Sequence, residues 1–127
     1  MHLILTTIYL SMDIEQLQAY CLSKPGVEET LPFGPDTLVY KVAGKVFLLT
    51  GLDGEDFRFN VKCDPDLAQE LREQYDCVQP GYHMNKKHWN TIVVDGSVPV
   101  KLLKEWIDHS YQLVVASLPK KLREQFK

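Results

Sequence analysis

The chain reads as an α+β domain: an antiparallel sheet with helices packed on one face, a two-layer sandwich. Three observations predict it. Three runs rich in β-branched and aromatic residues follow one another between Thr37 and Lys62 with glycine-bearing turns between them, helical periodicity is confined to the flanking segments, and strand and helix do not alternate as a parallel sheet requires. At 127 residues, with 45% hydrophobic and 24% charged residues, one domain with one core is expected.

Asp13 is placed to cap a helix carrying Ile14, Leu17, Tyr20 and Cys21 at three- and four-residue spacing, and Ser23-Lys24-Pro25-Gly26 stops it. Val27 to Thr30 is expected to add a polar turn, and Pro32-Phe33-Gly34-Pro35-Asp36 a loop. Thr37–Ala43 and Lys45–Thr50 then form a hairpin about Gly44, and a longer turn, Gly51–Glu55, leads into a third strand, Phe57–Lys62. Alternation is cleanest in that strand. Phe57, Phe59 and Val61 share one face while Arg58, Asn60 and Lys62 share the other.

Asp64 followed by Pro65 starts a second helix, whose Leu67, Leu71 and Tyr75 recur at four-residue steps beneath an acidic outer face. A polar loop follows, then a strand from Thr91 to Asp95. A long final helix runs through Leu102, Leu103, Trp106, Ile107, Tyr111, Val114 and Leu118, with Pro119 kinking or restarting it. The single domain is drawn at residues 12–127. Residues 1–11 are an extension from an alternative start at Met12 or an edge strand, and are too short for a membrane span.

Cys21, Cys63 and Cys77 form no CxxC and lie in or beside apolar segments, which predicts packed thiols in the reducing cytoplasm. A net charge of −3 argues against indiscriminate coating of nucleic acid. The charges are unevenly placed, however. Eight acids crowd between Asp53 and Asp76, whereas Thr37–Leu52 holds Lys41 and Lys45 without an acid, and no carboxylate occurs from Cys77 to Val94.

Within that second acid-free window, the twelve residues Pro80–Thr91 hold two lysines (Lys86, Lys87), two histidines (His83, His88), two asparagines (Asn85, Asn90) and two large aromatics (Tyr82, Trp89). Cations and amides suit phosphates, and an aromatic can stack or wedge, so an anionic partner is expected here. The blander reading makes Trp89 and Tyr82 core plugs and leaves the lysines solvated. Lys41 and Lys62, with Arg58, occupy strand positions that project from an uncovered sheet face, and Lys45 joins them from its place in the first hairpin.

GxGxxG, P-loop, GxSxG and HExxH motifs are all absent. Cys77, His83 and His88, spaced six and five apart, match no regular zinc pattern, so no metal and no cofactor is expected. A histidine beside a lysine has acid–base chemistry, with Thr91 or Cys77 as nucleophile and Asp95 or Asp36 as orienting group, but nothing in the spacing joins them. His109 and His2 read as a helix-surface residue and a terminal one.

Four segments together resemble the MmcQ/YjbR family of small bacterial proteins: Cys21–Thr30, Val61–Pro65, Tyr82–Thr91 and Asp108-His109-Ser110-Tyr111. Asn85-Lys86-Lys87-His88-Trp89 is the most specific piece. The resemblance runs from about Met12 to Phe126 and implies a CyaY-like fold, similar to the frataxin sandwich. It also implies a double-wing DNA-binding role, carried by Lys62, His83, Asn85, Lys86, His88 and Trp89. Iron binding of the frataxin kind is not expected, because Glu15, Glu28 and Glu29 are too sparse for a carboxylate ridge.

The function expected is therefore binding of DNA or another polyanion, without chemistry of its own, by Lys41, Lys45, Lys62 and the Tyr82–Asn90 loop. The alternatives are a protein-interaction module on the same surface, or an enzyme or small-anion binder using His83, His88 and Lys86.

Overall fold

A computed structural model of the chain describes residues 11–82 and 84–126. The expectations for residues 1–10 and for His83 lie outside the described residues. Asp13 opens α1 (Ile14–Leu22) with a reciprocal capping box: its carboxylate accepts from the Gln16 N–H at 2.7 Å while Gln16 Oε1 accepts from the Asp13 N–H at 3.0 Å. Gly26, at φ 72°, then turns the chain back.

Val27–Thr30 is a strand, β1, where a polar turn was expected. It pairs antiparallel with β2 (Thr37–Val42), placing Val27 opposite Val42 and Glu29 opposite Tyr40. Its two glutamates disguise it in the sequence, yet both are accommodated. Glu28 is exposed, while Glu29 accepts from the Tyr40 hydroxyl at 2.7 Å and from Gln18 Nε2 at 2.9 Å. Charged side chains also suit an edge strand, where they discourage pairing with another chain.

The hairpin from β2 to β3 (Lys45–Gly51) turns on Ala43 and Gly44, both at positive φ (50° and 78°), which matches the twist of the flanking strands. β4 (Arg58–Lys62) completes the meander, and α2 (Pro65–Gln74) starts where the Asp64 side chain accepts from the Leu67 N–H at 3.2 Å. β5 (Val78–Pro80) and β6 (Trp89–Val93) follow. Trp89 and Asn90 thus belong to the sheet, and the polar loop ends at His88. α3 (Val100–Ala116) is followed by a restart after Pro119, α4 (Lys120–Arg123), and a 3₁₀ turn, Glu124–Phe126.

The sheet order is β1-β2-β3-β4-β6-β5, with every neighbouring pair antiparallel. Tyr40, Leu48, Phe59 and Ile92 from the sheet pack against Leu17, Leu103, Ile107 and Val114 from the helices. Burying each such side chain contributes roughly 1.5–3 kcal/mol before conformational entropy is counted. No described helix is long and apolar enough to cross a membrane.

Four consecutive residues of α3 tie it to four different places. Asp108 accepts from Tyr20 Oη at 2.6 Å and pairs with Lys24. His109, expected on the helix surface, accepts from the Asp64 N–H through Nε2 at 3.2 Å. Ser110 is fully buried, accepting from the Lys62 N–H at 2.8 Å and donating to the Phe47 carbonyl at 2.5 Å. Tyr111 donates to the Pro25 carbonyl at 2.6 Å and meets the Phe47 ring edge-on at 5.4 Å. These bonds fix the sheet over the helices, and among the described residues no helix packs on its other face.

Candidate functional site

Strand register sorts the open face into three rows. Glu28, Lys41 and Val46 lie in cross-strand register at one end of the sheet, and Lys62 pairs with Trp89 at the same end, just beyond the Leu48–Val61 pair where β3 and β4 part. Thr30, Val39, Leu49, Asn60, Thr91 and Gln79 form the middle row. Thr37 pairs with Gly51 and Arg58 with Val93 at the far end, where the turn carrying Asp53, Glu55 and Asp56 joins β3 to β4. One end is basic and the other acidic.

The loop between β5 and β6 is built to present its lysines at the basic end. The Asn85 carbonyl accepts from the His88 N–H at 3.1 Å and the Trp89 N–H at 3.0 Å, and Asn85 Oδ1 accepts from the Lys87 N–H at 3.0 Å. This closes one helical turn, capped by its own asparagine, with Lys86 and Lys87 exposed on it. From beneath, Arg72 of α2 donates to the Lys86 carbonyl, to the Trp89 carbonyl at 3.1 Å and, through Nε, to Asn90 Oδ1 at 2.7 Å. Gly81 closes the other side. Its N–H donates to the Trp89 carbonyl at 2.9 Å, and a Cβ there would lie 2.8 Å from Trp89 Cβ.

The expected contacts are therefore divided. Lys41, Lys62 and Trp89 lie on one face at the same end of the sheet, and Lys86 and Lys87 stand on the turn leading into β6. Trp89 is half-buried and faces this surface, so it is not a core plug. Asn85 shapes the turn while remaining exposed, and His88 is half-buried, its carbonyl accepting from the Cys63 N–H at 2.7 Å. Two residues fall elsewhere. Lys45 pairs with Val42 and so lies on the helical side of the hairpin tip, while Asn90, 1% exposed, is held by Arg72 and donates to the Ala68 carbonyl at 3.4 Å. Parity along the strand decides both.

Tyr82 lies over the middle of the face, 67% exposed, with its N–H donating to Thr91 Oγ1 at 3.0 Å. Thr91 donates in turn to Asn60 Oδ1 at 2.5 Å. Beside them a cleft of about 430 Å³ runs to the β3–β4 turn, bounded by Thr37, Leu49, Arg58, Asn60, Tyr82 and Met84. Arg58 makes two bonds of 2.7 Å to Asp56, which hold the Asp56 carboxyl below its ordinary range. That charge is largely neutralised within the protein. Sequence reasoning missed Arg72 and the Asn60–Thr91 pair, although alternation had already placed Asn60 on the wet face.

Thr91 is buried in the hydrogen bonds just described, and burial pushes the Cys77 thiol up, away from the thiolate a nucleophile needs. Asp95 accepts from the Ser97 N–H at 3.0 Å, and the Asp36 carbonyl from the Leu52 N–H at 2.7 Å. Among the described residues no three His, Cys, Asp or Glu are grouped to hold a metal ion.

The chain is 39% identical over 108 residues to the uncharacterized protein YbdF of Escherichia coli O157:H7, covering 84% of this chain and 88% of that one. It is 34% identical over 113 residues to the uncharacterized protein YjbR of Escherichia coli K12, covering 89% and 96%. The crystal structure of the Deinococcus radiodurans protein DR2400, with a DUF419 domain, superposes with a TM-score of 0.84 at 35% identity, over 94% of this chain and 88% of that one. A Pseudomonas syringae protein superposes with a TM-score of 0.70 at 28% identity, over 80% and 98%. The YjbR family model matches residues 22–113, and with these relatives beside it the chain belongs to the YjbR family.

Proposed function

We propose that this protein binds DNA or another polyanion on the basic end of its open sheet face. The observation that carries the reading is the cross-strand pairing of Lys62 with Trp89, immediately beside the turn presenting Lys86 and Lys87. A cation and an aromatic face side by side meet a phosphate and a base or sugar together. Lys41 stands on the same face at the same end, two strands away on β2. The acidic far end keeps the rest of the face from attracting phosphates, which suits a confined footprint on a net acidic chain. We place this activity in the cytoplasm, where the three buried, unpaired thiols stay reduced.

The test is anisotropy titration of labelled duplex and single-stranded DNA at several salt concentrations, for the wild type and a Lys86→Ala/Lys87→Ala variant. Four lysines predict a slope of log affinity against log salt no steeper than about −3.6 on duplex, and the double substitution removes about half of it. Absence of binding to either DNA at low salt overturns the reading.

A second reading, docking of a protein partner, is favoured by Phe33, Leu31 and Leu52, all well exposed, on loops joined through the Leu52–Asp36 backbone bond. Binding there would persist at high salt and respond to Phe33→Ser rather than to the lysines.

A further inference from the structure

The cleft beside Tyr82 differs in chemistry from the lysine end of the face and calls for a different part of a ligand. Asp53 and Asp56 stand in its wall and Arg58 is committed to Asp56, so a phosphate entering it meets net negative charge. A neutral ring does not. Leu49 and Met84 supply apolar surface, and the exposed Tyr82 ring stands at the margin.

Asn60 is among the residues that line this space. The Tyr82 N–H occupies Thr91 Oγ1 as an acceptor, which sends the threonine hydroxyl hydrogen to Asn60 and fixes the Asn60 carbonyl oxygen on that side. Its Nδ2 makes no hydrogen bond among the described residues, and Asn60 lines the cleft. The site therefore offers a fixed amide donor and an aromatic face. Asn60 stands two residues before Lys62 on the same face of β4, about 7 Å away by strand rise, the span of a nucleotide from phosphate to base.

We propose that this cleft takes one unstacked nucleobase, its acceptor edge on Asn60 Nδ2 and its ring against Tyr82, while the adjoining phosphates lie on Lys62, Lys86 and Lys87. This rests on the polyanion reading above and narrows it to single-stranded nucleic acid, since a paired base cannot enter.

The test compares a labelled oligothymidylate with an abasic oligomer of the same length and phosphate number, against the wild type, Asn60→Leu and Tyr82→Ala. The wild type should bind the base-bearing strand about tenfold more tightly, the scale of one base stacked on an aromatic. Each substitution should reduce that preference to within about twofold while leaving abasic affinity unchanged. Tyr82→Ala alters an exposed side chain, so it carries the test if Asn60→Leu does not fold. Equal binding of both strands by the wild type overturns the base pocket and leaves the polyanion reading standing. Binding of neither strand, with none to duplex DNA, overturns both.

Discussion

The Ser110 hydroxyl holds Lys62 in place from inside the protein, accepting its backbone N–H at 2.8 Å while donating to the Phe47 carbonyl at 2.5 Å. The two groups it joins lie where β3 and β4 part, just beyond the Leu48–Val61 pair, and beside an irregularity in the β2–β3 register that passes over Phe47. An extra residue in one strand interrupts the ladder and leaves backbone groups to be satisfied otherwise. A helix side chain does so here. The last residue of β4 is thereby anchored with its amine on the open side.

Ser110→Ala removes that bridge and leaves a donor and an acceptor buried. The expected loss is about 1–3 kcal/mol of unfolding free energy, measured by urea denaturation at neutral pH. An unchanged midpoint would mean that the two strands close on each other without it.

Asn90 and Lys87 stand three residues apart and should respond in opposite ways. Asn90→Ala strips the Arg72 Nε of a charge-assisted bond in a buried setting, so stability falls by roughly 1.5–3 kcal/mol. Lys87→Ala touches only an exposed side chain and should leave stability within about 0.5 kcal/mol while lowering affinity for DNA. Thermal unfolding beside anisotropy separates the two. Loss of DNA affinity from Asn90→Ala with no loss of stability would place that amide at the ligand instead.

The architecture was legible because apolar periodicity, the Asp13 and Asp64 caps and the Gly44 turn all pointed the same way. β1 was not, since Val-Glu-Glu-Thr carries no alternation and its strand form depends on Tyr40 and Gln18, which are distant in sequence. The candidate surface was legible in composition but not in direction. Lys41 and Lys62 fell to the open side by clean alternation, whereas Lys45 and Asn90 went to the helical side because a strand side chain's face is set by one residue of register. Arg72 looked like one more charge on an acidic helix. Its role comes from meeting a loop that no spacing connects to it. The Asp108–Tyr111 segment, met as part of a family resemblance, proves to be a set of tertiary ties.

Gly81→Ala tests how tightly the lysine turn is fastened. The added methyl would meet Trp89 Cβ at 2.8 Å, the Trp89 carbonyl at 2.9 Å and Met84 Cβ at 3.1 Å, and all three atoms belong to the backbone or are bonded to it. Either β6 shifts or the loop lifts, at about 1–3 kcal/mol. Amide exchange should rise through residues 81–89 and stay unchanged in α3. Uniform exchange across the chain would show that the loop is not an independent unit.

Alkaline pH should destabilise the fold through its thiols. Burial pushes Cys63 up to about 11 and Cys21 up to about 12, each from an ordinary 9.0. A raised folded-state value for a group that is neutral when protonated favours the native state below the unfolded value and is lost as pH rises toward the folded one. Above pH 9 the unfolded chain has released these protons and the native chain has not, so stability falls with pH up to about 11 or 12. The phenols of Tyr20 and Tyr40, raised by burial and then by hydrogen bonds to Asp108 and Glu29, act in the same direction above 10.0. Denaturation midpoints at pH 8, 9 and 10 should therefore decline, and Cys63→Ala, though less stable at pH 8 because of the cavity it leaves, should decline less steeply. A wild-type profile flat across that range would mean that the thiols ionise as readily in the fold as outside it.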